Sequence, residues 1–321
     1  MANSKTPRFI QTWQADASAE QAAARAALAA EHASVAPKFF YDRLGSHLFE
    51  AITELPEYYP TRTEAAIFAT RGAAIADAVG SGMALIDLGA GNCAKAAALF
   101  PLLEPMRYIA IDISVGFLRD ALRELQREHP RIAMAGLGQD FSQRLELPDD
   151  LLGNERPLFF YPGSSIGNFT PDEALAFVTR VRAQASGGGL LIGVDLVKPR
   201  AVLEAAYDDS LGVTAAFNRN VLAHLNRLIG SDFAPRQWRH VALFDEAQSR
   251  IEMHLEASEA LVVTSPGGMR RFAAGERIHT ENSCKYTVED FAALLVAAGF
   301  APPRHWTDPQ GWFAVFSADA A

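Results

Sequence analysis

The residues best suited to chemistry stand at the ends of three short apolar runs. The first run, "MALIDLGAG", closes on Asp87, Gly89 and Gly91. Glycines there let a backbone approach a ligand closely and open the next helix, whose first N–H groups lack partners. A third glycine is missing, because position 94 is Ala, and a bare GxG is weak evidence. The second run, "YIAIDIS", carries Asp112 at its end, and a carboxylate can accept from both hydroxyls of a ribose. The third, "GLGQDF", ends on Asp140 and Phe141. That carboxylate suits an exocyclic amine, and the ring or adjacent backbone suits an adenine. Asp112 and Asp140 could equally cap helices. A dinucleotide-binding dehydrogenase accounts for the glycine turn and Asp112 but not for Asp140–Phe141.

The elements that must position these residues alternate. After the glycines, "AKAAALFPLL" reads as a helix, and "VGFLRDALRELQREH" follows the second strand. "PLFFYPGSS" is a further strand, "DEALAFVTRVRAQA" a helix and "GGLLIGVDLV" another strand. Apolar strands alternating with helices imply a mostly parallel sheet covered on both faces. The alternation stops near Lys198–Pro199. "AVLEAAYDDSLGVTAAFNRNVLAHLNRLIG" reads as one or two helices, and "RIEMHLEASEALVVTS" has the period of a half-buried antiparallel strand or hairpin. A last helix, "VEDFAALLVAAG", precedes two closing strands. Before the sheet, residues 16–32 are Ala-rich and helical in propensity. In "LPEYYPTRTE", Thr61 and Glu64 fit a capping box that opens a helix to about Gly80.

A glycine turn, an acid and an Asp–aromatic pair at successive strand ends form the layout of class I S-adenosylmethionine-dependent methyltransferases. The helix and two strands at the end resemble the reversed last strand of that fold. Lys95, one turn into the first helix, is then placed against the carboxylate of the methionine moiety, although a lone lysine is more often solvated. Further motifs narrow the resemblance. "KFFYDRLGSHLFEAITELPEYYPTRTEA", "PGSSIGNFTP", "VDLVK", "AYDDSLGVTAAFNRNVL", "RIEMHL" and "TENSCKY" resemble the bacterial and fungal histidine Nα-methyltransferases of ergothioneine biosynthesis, from about residue 13 to the C-terminus. The resemblance implies an α/β chain. A class I Rossmann-like methyltransferase sheet would span 63–198 and 284–321, and a second α+β substrate-binding domain 1–62 and 199–283. It implies conversion of L-histidine, through its mono- and dimethyl forms, to hercynine with S-adenosylmethionine as co-substrate and no metal.

Carried over by motif, Tyr41 is similar to the family tyrosine near the substrate amine, where it would position that amine for attack. Tyr58 matches the one beside the imidazole, leaving Tyr59 to packing. Gly163 and Asn168 match residues near the amino and carboxylate groups, and Tyr207 a second carboxylate donor. Met253 lines the side-chain pocket, and Glu281 and Ser283 match the residues that bond the imidazole. Gly89, Gly91, Lys95, Asp112, Asp140 and Phe141 fall to the cofactor. An amide and a phenol hold a carboxylate without a cation beside the reacting amine, and Glu281 can accept from a ring N–H. Met253 shares the apolar face of its strand with Ile251 and Leu255, so on pattern alone it is a core residue. Asp195 and Lys198 match the family's "DLVK" without an assigned role. Cys93 stands where many relatives have a hydroxyl and is expected as a small buried residue at a helix start. Pro162 stiffens the loop before Gly163.

Composition limits the other readings. The chain has 321 residues, 49% of them hydrophobic, and a net charge of −9. Its acidity and lack of a basic run argue against nucleic acid as a partner. No segment reaches the ~20 apolar residues of a membrane span, and the start lacks the apolar core of a signal peptide. Cys93 and Cys284 are far apart and have no metal-ligand spacing. A cytoplasmic monomer is expected. The rival functions are the same fold acting on another amino acid or small amine, and a non-catalytic S-adenosylmethionine sensor.

Overall fold

The computed structural model describes residues 6–11, 17–113 and 115–320. Residues 12–16, where the family resemblance begins and the Ala-rich helix is expected to start, lie outside the described residues. In chain order the strands are β1 Arg8–Gln11, β2 Ala84–Leu88, β3 Arg107–Asp112, β4 Ala133–Gly138, β5 Pro157–Tyr161 and β6 Gly189–Asp195. They continue as β7 Trp238–Asp245, β8 Arg250–Ala257, β9 Leu261–Ser265, β10 Gly268–Phe272, β11 Arg277–Cys284, β12 Arg304–Thr307 and β13 Phe313–Asp319. Eight of them form one sheet in the order β1-β4-β3-β2-β5-β6-β13-β12. The first six run parallel, while β13 lies antiparallel to β6 and β12 antiparallel to β13. The expected reversal near the end of the sheet is therefore present.

Every residue of β2, β5 and β6 is buried, as continuous apolar strands covered on both faces should be. Alternate residues feed two cores. Ile86, Ile109, Phe159 and Ile192 pack with Phe177 and Phe291 from the helices Pro171–Gln184 and Val288–Ala297. Leu85, Tyr108, Leu158 and Leu191 pack with Ile67, Leu99 and Leu118 from Tyr59–Val79, Ala94–Leu103 and Val115–Glu128. The strand order reverses on either side of β2, where open α/β sheets bind ligands at their carboxyl ends.

A third core lies outside this sheet. It joins Phe40, Tyr58, Leu203, Phe217, Trp238, Met253 and Ile278. Its frame is the antiparallel sheet β11-β8-β7 with the helices Ala17–Ala29, Arg43–Thr53, Arg200–Tyr207 and Val213–Ile229, and β9 and β10 form a separate hairpin.

Two features depart from expectation. The N-terminal segment does not belong wholly to the third core, because β1 extends the large sheet beyond β4. The capping box is also absent. The helix begins at Tyr59 with Pro60 in its first turn, Tyr58 occupies the cap without a side-chain bond, and Thr61 is already helical. Proline's fixed φ suits a first turn, so it sets the helix start without a polar cap. Among the described residues no helix is long and apolar enough to cross a membrane.

Candidate active site

Gly89, Gly91, Asp112, Asp140, Phe141 and Gly163 gather at the carboxyl edge of the large sheet. Gly89 and Gly91 have φ of 72° and 52°, values that favour glycine. The turn they make delivers Cys93, buried with φ 63°, to the cap of Ala94–Leu103. Burial pushes the Cys93 thiol up to about 12, as suits an inert helix-start residue. Cys284 is also a free, buried thiol. Asp112 Oδ2 accepts from the Gly91 N–H at 3.0 Å, which fixes the carboxylate against the glycine turn. Asp140 accepts from the Ser142 N–H at 3.2 Å and from Gln143 Nε2 at 3.1 Å. The Phe141 ring stands 3.6 Å from where a Cβ on Gly89 would lie, so that glycine keeps the floor of the turn open. These donors, acceptors and ring fit an adenosyl group in type and placement.

Lys95 and Gly163 meet through Glu64, a residue the sequence reading places only in a capping box. Glu64 is buried, accepting from Lys95 Nζ at 2.8 Å through one oxygen and from the Gly163 N–H at 2.7 Å through the other. Its local sequence, "TRTE", imitates a capping box and hides this use. Room for it comes from Gly193 on β6, where a Cβ would fall 2.0 Å from Glu64 Oε1. Gly163 has φ 76° and Ser164 φ 58°, a tight turn that leads into the short helix Ser165–Asn168.

Across this edge lie the residues expected at a substrate. Tyr41 packs edge-on to Phe49 and Phe217, with ring centroids 5.7 and 5.9 Å away. Tyr58 packs edge-on between Phe49 and Tyr207 at 6.2 and 6.3 Å. Burial, then Glu281, hold the Tyr41 phenol well above its ordinary value, and Asp112 acts on it too. Tyr41 is thus near enough to feel charges of both groups of residues. Met253 is buried in the third core, directly across the β8–β11 ladder from Glu281.

A bulge brings the polar residues of β11 inward. The register against β8 shifts between His279 and Glu281, so Thr280 and Glu281 are both buried although adjacent. An extra residue resets the alternation of a strand. Ile278 and Thr280 face inward before it, and Glu281, Ser283 and Lys285 after it. Burial pushes the Glu281 carboxyl up to about 7, against the opposing pull of Lys285 and of a hydrogen bond from Asn168. Asn168 also borders a cavity of about 500 Å³ that reaches Gln143, Lys38 and His279.

Lys285 is the other residue the sequence reading lacks. Its Nζ lies 2.7 Å from Asp195 Oδ2, 2.7 Å from Ser283 Oγ and 3.1 Å from the Tyr207 hydroxyl, with no exposed side-chain surface. Tyr207 and Ser283 bond each other at 2.7 Å. Asp195 also takes Lys198 Nζ at 2.6 Å and the Tyr59 hydroxyl at 2.7 Å. Tyr59 therefore does more than pack, and "DLVK" acquires a structural place. Burial alone would raise Asp195, but Lys285 and Lys198 hold it below its ordinary value. Burial lowers Lys198 to about 8. The period of two through Glu281, Ser283 and Lys285 was the available signal. Among the described residues no cluster of His, Cys, Asp and Glu could hold a metal.

The family model of S-adenosylmethionine-dependent, histidine-specific methyltransferases matches residues 20–320. The chain belongs to that family. Its relatives include two proteins named histidine N-alpha-methyltransferase. That of Mycolicibacterium smegmatis is 43% identical over 90% of this chain and 91% of its own, and that of Mycobacterium tuberculosis 41% identical over 87% and 88%. Ergothioneine biosynthesis protein 1 of Neurospora crassa is 30% identical over 83% of this chain, which spans 31% of that longer protein. As a histidine-specific methyltransferase, the chain carries a largely buried polar cluster of Tyr207, Ser283 and Lys285 as well as the glycine turn and carboxylates at the carboxyl edge of its large sheet.

Proposed function

We propose that the protein methylates the α-amino group of L-histidine three times, giving hercynine at the start of ergothioneine biosynthesis. The large sheet and its helices hold S-adenosylmethionine, and the smaller sheet with its helices holds the amino acid. Asp112 takes the ribose hydroxyls, Asp140 and Phe141 the adenine, the Gly89–Gly91 turn the backbone approach and Lys95 the methionine end. S-adenosylmethionine supplies a methyl group activated by its sulfonium.

The observation that carries this reading is the buried Glu281 carboxyl, turned inward by the bulge, with Tyr41, Tyr58 and Tyr207 near enough to feel its charge. Such a group is costly to bury even with a donor such as Asn168, and a ligand that brings a further donor offsets that cost. An imidazole N–H is that donor, and a site of this kind strongly rejects side chains without one. Ser283 bonds the ring, and Met253 and Tyr58 line its faces. Asn168 and Tyr207 hold the α-carboxylate, with Gly163 beside the amine.

The attacking amine must be neutral. Tyr41 keeps its phenol proton, so it is no base at neutral pH; it accepts from an amine N–H and aims the lone pair, while the lost proton leaves through water. Alignment of this kind supplies several kcal/mol, up to about 10. The aromatic rings around the amine, Tyr41, Phe49 and Tyr58, suit a product that ends as a fixed cation without N–H groups. Incubating the purified protein with S-adenosylmethionine and L-histidine and following product mass over time tests the proposal. Mono- and dimethylhistidine should appear first and trimethylhistidine accumulate. A histidine mass that never changes, with the co-substrate bound, would refute it.

A further inference from the structure

We infer that Lys285 is a positioning residue that orients the Tyr207 and Ser283 hydroxyls and gives the pocket a positive pole for the substrate carboxylate. The inference rests on the histidine reading above.

Donor counting carries it. The Lys285 ammonium has three N–H donors, and its partners are Asp195, Tyr207 and Ser283. Both hydroxyl oxygens therefore accept from the lysine. One hydroxyl must then donate to the other across their 2.7 Å contact. A single O–H remains to point away from the cluster. Lys285 fixes this arrangement, because a lysine can only donate.

Charge points the same way. Asp195 already has Lys198 and the Tyr59 hydroxyl as partners, so a second buried cation is not needed to neutralise it. Lys198 spends its ammonium on Asp195, Tyr59 and the Leu196 carbonyl. A purely structural ion pair at this depth gains little over apolar packing. The positive charge of Lys285 sits beside Tyr207 and Ser283, and Glu281, two positions along β11 from Ser283, feels it as well. An amino acid with an anionic carboxylate at the lysine end and a ring N–H at the glutamate end complements both poles. The pocket is thus selective for zwitterionic amino acids over simple amines carrying the same ring.

Histamine has the ring and amine of histidine without its carboxylate. Calorimetric titration with each, in the presence of S-adenosylhomocysteine, reads the inference directly. Lys285→Met should weaken histidine binding about ten- to hundredfold, the range for losing hydrogen bonds to a charged group, and weaken histamine binding by a clearly smaller factor, because histamine meets the lysine's influence only through Ser283. Equal losses for both ligands, or none, would overturn it. Tyr207→Phe leaves the Lys285–Asp195 pair in place and should lower the same histidine-to-histamine ratio, so the test survives if Lys285→Met does not fold. An unchanged ratio in that variant also overturns it. In the double variant the two effects should not add, because they act through one hydroxyl. Wild-type protein that fails to methylate histidine would remove the underlying reading, whereas methylation with an unmoved ratio removes only this inference.

Discussion

Burial raises both Tyr41 and Glu281, but only Glu281 is brought to titrate near neutral pH. Burial keeps Tyr41 protonated at any physiological pH, so it can orient an amine but not accept its proton. Tyr41→Phe should lower kcat about ten- to hundredfold by loosening that alignment, with S-adenosylmethionine affinity little changed; steady-state rates for all three methylations at full kcat would contradict the role. Glu281 sits near 7, well above its ordinary value. The folded protein then holds the proton more tightly than the unfolded chain. Its ionisation costs stability: nothing below the unfolded value near 4.5, and the full cost, about 3 kcal/mol, above pH 7. Glu281→Gln should therefore gain melting temperature relative to wild type as pH rises from 5 to 8. In the same variant log kcat/KM for histidine should fall less steeply between pH 7 and 6, because one group fewer becomes protonated. Parallel pH profiles would remove Glu281 from recognition in its ionised form. The residue types at this site were legible in the motifs, but their states were not, since these depend on depth and neighbours.

At the scale of elements, the strands and their functional ends could be read from apolar runs, and the large sheet is mostly parallel with the expected reversal near its end. What was hidden required three dimensions. The Glu64 side chain works between β5, β6 and the helix after β2, so the local pattern "TRTE" pointed to a cap that does not form. The β11 bulge is invisible because strict alternation from Ile278 would have turned Glu281 outward. β1 joins β4 through backbone pairing, a contact that four residues of sequence cannot announce. Gly193→Ala tests the Glu64 link. The new methyl cannot coexist with Glu64 in its present position, so both the Lys95 and Gly163 contacts should be lost. Removing buried charged hydrogen bonds costs about 2–4 kcal/mol, and affinity for S-adenosylhomocysteine should fall with it. Calorimetry showing wild-type affinity would mean that Glu64 does not hold the loop in place.

On the scale of the whole molecule, the two sheets rest on separate cores, and the short helix Ser165–Asn168 touches β6 of one and β11 of the other. The large sheet is common to many ligands. On the proposed reading selectivity comes from the smaller one, where Glu281 and Ser283 on β11 and Lys285 just past its end are all buried. The central claim is that this cluster chooses histidine. The most direct test is to give the purified protein S-adenosylmethionine with a panel of free amino acids and follow each product by mass. The account predicts three added methyl groups on histidine and none on the others. Methylation of a different amino acid, with histidine untouched, would contradict it.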